Sequence, residues 1–109
     1  MKTFIANTEE APNKWWAIQD HRMKSIANAS HYTAAQKLKG ERMRMALCTV
    51  YSGKVYDVTF GKRSIAIKVD AECRVNNKKA LKQLEAGWTQ EGIFKKETPF
   101  GTHYHLPKV

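Results

Sequence analysis

His103 and His105 stand two residues apart in the run Gly101-Thr102-His103-Tyr104-His105. On a strand such a pair shares one face at a separation of about 7 Å. Imidazoles exchange protons near neutral pH, so the two could act as acid and base in cleaving an RNA phosphodiester, with Lys95 or Lys96 steadying the phosphate. They could also give a metal two ligands. A catalytic zinc needs a third protein ligand, and no further His, Asp or Glu is set by spacing to supply it. No metal and no cofactor is therefore expected. The plain alternative is two surface histidines on the polar side of an edge strand.

Charge is the second chemistry. Nineteen Lys and Arg against ten Asp and Glu give a net +9 over 109 residues. A field of that size on a small domain draws nucleic acid or an acidic protein surface. The candidate nucleic-acid contacts are Asn77, Lys78, Lys79 and Lys82 on one helix, with Lys62, Arg63, Lys95 and Lys96 at loop tips. Lys37, Lys39, Arg42 and Arg44, against the single acid Glu41, offer a further basic helix face that would track phosphates without reading sequence. No run approaches the roughly 18 apolar residues of a membrane span, and no leader-like apolar segment follows Met1. A cytoplasmic protein is expected, with Cys48 and Cys73 reduced and buried. There is no Gly-x-Ser-x-Gly, no phosphate loop and no dinucleotide fingerprint.

The elements that must position these residues follow from periodicity. Asn76 or Asn77 can cap a helix carrying Ala80, Leu81 and Leu84 on one side, and Gly87 is expected to stop it. Trp88 to Phe94 then reads as a strand, Pro99 and Gly101 as a turn, and Thr102 to Leu106 as the return strand. Alternation sets Tyr104 and Leu106 on the core face and His103 and His105 on the other. Upstream, Lys2 to Ala6 reads as an edge strand or loose arm. A helix starts near Thr8, Glu9, Glu10 and Pro12, with an apolar stripe of Trp15, Ile18, Met23 and Ile26. Of the adjacent Trp15 and Trp16, one is core and the other is free to anchor a partner. After a break at Asn28-Ala29-Ser30, Ser30 or Thr33 caps a second helix from Ala34 to about Ala46, with Leu38 and Met45 on one side, Ala34 and Ala35 nearby, and Gly40 weakening it. Leu47 to Tyr51, Val55 to Phe60 and the alternating Ile65, Ile67 and Val69 read as an antiparallel meander with turns at Ser52-Gly53 and Gly61-Lys62-Arg63.

The sum is one basic α+β domain over residues 1–109: two N-terminal helices, a meander, a third helix and a C-terminal hairpin, about five strands in all. The words Ala80-Leu81-x-x-Leu84, Gly87-Trp88 and Tyr104-x-Leu106 resemble the recognition helix and wing of winged-helix DNA-binding domains. That resemblance covers about thirty residues. It implies that Asn77, Lys78, Lys79 and Lys82 face a groove while Lys95 and Lys96 meet phosphates. The upstream strands depart from it, because a winged helix needs two helices just before the recognition helix. Gly101-Thr102-His103-Tyr104 is similar to the Gly-Ser-His motif of HicA-type mRNA-cleaving toxins. It implies a catalytic His103, although Thr102 replaces the serine and the motif falls late in the chain. The reading that results is a non-enzymatic nucleic-acid-binding protein. The alternatives are an inhibitor or adaptor docked on an acidic protein, and a ribonuclease using His103.

Overall fold

The computed structural model describes residues 10 to 108, with side chains from Asp20 onward. The arm at Lys2 to Ala6 and the faces of Trp15, Trp16 and Ile18 lie outside the described residues. Among the described residues three helices and six strands follow in the order α1 (Glu10–Ala29), α2 (Ala34–Val50), β1 (Tyr51–Ser52), β2 (Thr59–Phe60), β3 (Ser64–Asp70), β4 (Arg74–Val75), α3 (Lys78–Gln90), β5 (Phe94–Thr98) and β6 (Gly101–Pro107). The fold is α+β. Its main sheet is antiparallel with strand order β2-β3-β6-β5, and β1 pairs with β4 in a small second ladder.

β3 is the spine. Ile65, Ile67 and Val69 alternate as expected and are all buried. Across the ladder Ile65 meets Leu106 and Ile67 meets Tyr104. Met43 and Leu47 of α2, with Trp88 of α3, close over this face and complete the core together with Val55 and Ile93. Trp88 packs edge-on to Tyr104, ring centroids 5.6 Å apart.

α2 is longer than its sequence suggests. Thr33 caps it in a reciprocal box with Gln36, and the helix continues past Ala46 to Val50, absorbing most of the expected Leu47–Tyr51 strand. The reason is which face is apolar. Gly40, Met43, Leu47 and Val50 form the buried stripe, whereas Leu38 and Met45, which share another side, are exposed. Gly40 is the close-approach point: a Cβ there would come within 3.0 Å of Ile65 Cγ2. Its cost in helix propensity is set against tight packing of α2 on β3.

α3 is corrected in the same way. Asn77, rather than Asn76, is the cap, its side chain accepting from the Ala80 amide at 3.0 Å. The helix does not stop at Gly87. It runs to Gln90 and turns at Gly92, whose φ of 83° is the left-handed value expected of a stop. Leu81, Leu84 and Trp88 recur at i, i+3 and i+7, so Trp88 belongs to the helix stripe and not to a strand. β5 consequently begins only at Phe94, and Lys95 and Lys96 sit within a strand rather than in a loop. The hairpin tip is Pro99-Phe100, as the turn signal required.

The meander is shorter than expected. Only Thr59 and Phe60 pair as β2, and Val55 makes a single bridge to Val69. In α1, Met23 and Ile26 do not face a core; they are 65% and 68% exposed. The helix instead lies along β2. Ser25 Oγ accepts from the Phe60 amide at 2.8 Å, and Asn28 Nδ2 donates to the Phe60 carbonyl at 3.1 Å. Cys48 is exposed, against the expectation of burial, because it falls on the outer side of α2; Cys73 is half-buried. No described helix is long and apolar enough to cross a membrane.

Candidate functional site

Residues paired across an antiparallel ladder share a face. One row of the main sheet runs Lys68, His103, Lys96 from β3 through β6 to β5, and the next runs Ala66, His105, Phe94. These rows lie on the face opposite Ile67 and Tyr104. α2 and α3 cover that core face, and the contacts of α1 run along the edge at β2. The sheet therefore presents two lysines, two histidines and an aromatic ring on the side away from the core residues of α2 and α3. Tyr56 joins them. Its amide donates to the Lys68 carbonyl at 2.8 Å, and its ring lies under the ammonium groups of Lys54 and Lys68 at 5.1 and 5.2 Å.

Phe94 is stacked on His105, centroids 4.9 Å apart and planes within 10°. His105 Nδ1 is 2.9 Å from Ser64 Oγ, which fixes the ring. His103 and His105 do share a face, as alternation required, with centroids 6.3 Å apart. Their Nε2 atoms are buried and have no hydrogen-bond partner among the described residues. Burial holds both imidazoles below the usual histidine range. The charges of Lys68 and Lys96 add to this for His103, and those of Lys96 and His103 add to it for His105.

These facts sort the chemistry. A metal cation between the histidines would sit between two ammonium groups, and no cluster of three ligating side chains occurs among the described residues. General acid–base work asks a substrate to reach Nε2, an atom that is buried in both rings. The same row suits an anion. Among the described residues Lys68 and Lys96 make no salt bridge, and they flank His103 on neighbouring strands, about 10 Å apart at Cα.

The other basic residues do not converge on this face. Lys62 and Arg63 form the β2–β3 turn at the start of β3, while α3 is entered from its far end, about 20 Å along the strand. Lys78, Lys79 and Lys82 are exposed on α3, over the core side of the sheet. Lys95 alternates away from Lys96. Burial pulls its pKa down, but Glu85 at 3.1 Å and Glu97 at 3.5 Å together with other neighbours outweigh that, and the net shift is upward. On α2, Lys39 is paired with Glu91 at 2.6 Å and Arg44 with Asp57 at 3.4 Å. Sequence reasoning named Lys96, His103 and His105 but missed Lys68, Tyr56 and Phe94. Lys68 was legible as the outward residue between Ile67 and Val69. The pairing of β3 with β6, which brings the three strands into one row, was not.

The fold and this face together define a small basic α+β domain with a cationic, aromatic sheet surface. No protein-family model matches the chain, and neither curated proteins nor solved structures provide a match.

Proposed function

We propose that the protein is a non-enzymatic nucleic-acid-binding domain. The observation that carries this reading is the Lys68–His103–Lys96 row beside Phe94 and Tyr56, where cations without a salt-bridge partner among the described residues share one sheet face with exposed rings. Lysines without carboxylate partners keep their full attraction for phosphate, and a surplus of nine positive charges raises the local concentration of any polyanion. The exposed Lys78, Lys79 and Lys82 on α3, with Lys62 and Arg63, would extend the field without sharing the face. A cytoplasmic setting accords with two thiols left unpaired.

The test is binding of labelled oligonucleotides by fluorescence anisotropy across a salt series. Binding should weaken steeply with salt. The double variant Lys68→Gln, Lys96→Gln should lower the slope of log K against log salt by about 1.5, the share of two released counterions. Absence of binding at low salt would overturn the reading.

A docking role on an acidic protein draws support from one other observation, the exposed Met23 and Ile26 on α1. It calls for a stoichiometric protein complex and negligible affinity for bare nucleic acid.

A further inference from the structure

We infer that the ligand of this face is a single strand, with one base stacked on Phe94 and the neighbouring phosphates held by Lys68 and Lys96. The inference rests on the nucleic-acid reading above and specifies the form of the polymer.

Phe94 is the first residue of β5, and β5 is an edge strand. One face of its ring lies on His105, yet the residue is 45% exposed. The His105–Phe94 pair is thus a two-ring stack at the margin of the sheet, one that a third ring would extend. His105 is fixed from behind by Ser64, so the platform is held before a ligand arrives. A base offers a flat face of the kind this stack can extend.

In a duplex the faces of the bases are covered by their neighbours, and only edges are presented in the grooves. Reading those edges takes a helix or a β-ribbon that enters a groove. This sheet face offers neither, only side chains standing on a four-stranded surface. Phe94 therefore gains little from a duplex, whereas an unpaired base is free to stack.

The polar pattern agrees. His103 lies between Lys68 and Lys96 in the next row, so the cations stand one row along from the stacking ring. A strand running along the β5 margin would set its base against the outer face of Phe94 and its phosphate toward the lysine row. Tyr56, on the far side of Lys68, offers a second ring at the other flank.

The experiment compares one labelled sequence as a single strand and as a duplex, with full-length protein and the variants Phe94→Leu, Phe94→Trp and Lys78→Gln/Lys79→Gln/Lys82→Gln. Circular dichroism and thermal midpoints check that each variant folds. The single strand should bind more tightly than the duplex. Phe94→Leu should weaken single-strand binding by roughly 5- to 150-fold, the range of one base–aromatic stack, with little effect on the duplex. Phe94→Trp should retain binding. The triple variant should keep the single-strand preference. Equal or tighter duplex binding, or single-strand binding indifferent to Phe94→Leu, would overturn this inference while leaving a nucleic-acid-binding protein. Binding to neither polymer would overturn the broader reading as well.

Discussion

The Tyr104 hydroxyl donates to the Glu85 carboxylate, tying the centre of β6 to α3. Tyr51 in turn donates to the Tyr104 oxygen at 3.1 Å, and Lys95 reaches the same carboxylate oxygen at 3.1 Å. Burial first, and these partners second, push the Tyr104 hydroxyl far above its ordinary pKa, so it remains a donor at all working pH values. Tyr104→Phe should cost about 1–3 kcal/mol, because it leaves Glu85 and Tyr51 short of a partner in a half-buried network. Urea unfolding checks this as a lower midpoint with an unchanged slope.

Gly40 and Ile65 set the distance between α2 and β3. Alanine at position 40 improves helix propensity by about 1 kcal/mol but brings its Cβ to 3.0 Å from Ile65 Cγ2. The two effects oppose each other, so Gly40→Ala should be close to neutral. Gly40→Val adds two methyl groups to a filled contact and should destabilise by about 1–3 kcal/mol. Thermal midpoints of the two variants separate propensity from packing.

Two glycines with positive φ should respond differently. At Gly101, φ is 142° and an added Cβ would collide with the Val69 carbonyl oxygen, a backbone atom that cannot step aside. At Gly92, φ is 83° and, chain neighbours aside, no atom of the described residues lies within 4 Å of an added Cβ. Gly92→Ala should cost about 1–2 kcal/mol from conformation alone. Gly101→Ala should cost clearly more, and a larger loss at position 92 would contradict the geometry.

Stability should fall on mild acidification. His103 and His105 are held below the ordinary histidine pKa of about 6.5, so the unfolded chain takes up protons first as pH drops. Their neutral forms favour the fold above pH 6.5, and that contribution is lost progressively as pH falls from there through their lowered values. His103→Gln should flatten the dependence of stability on pH in this window. A phosphate beside His103 would favour its protonated form, so nucleic-acid affinity should rise over the same window in which the free fold weakens.

How much of this was legible in the sequence depends on how local each signal was. Asn77, Thr33 and the Pro99–Gly101 turn are set by neighbours within four residues, and they fell where their chemistry required. The alternation of Ile65, Ile67 and Val69, and of His103 and His105 against Tyr104, was also local and held. Errors arose where an aromatic or a glycine suits two structures. Trp88 fits a strand by propensity, but its spacing from Leu81 and Leu84 puts it on a helix. Gly87 looks like a stop, but Gly92 follows the true end of the stripe. Gly40 looked like a defect in α2 until Ile65 was known to press against it. The site was half legible. Its residue types could be named, but Lys68 and Lys96 become neighbours of His103 only through a β3–β6 pairing that spans more than thirty residues.

The bonds from Ser25 and Asn28 to the Phe60 backbone have a consequence for self-association. They occupy an amide and a carbonyl on the outer margin of β2, which would otherwise stand ready for another chain. The opposite margin, β5, carries Lys95, Lys96 and Glu97, and charge there discourages the same event. Both flanks of the sheet are thus guarded, one by side-chain mimicry of a strand and one by charge. Ser25→Ala with Asn28→Ala should unguard the first, and light scattering of the concentrated protein should then show slow growth of aggregates that the parent chain resists.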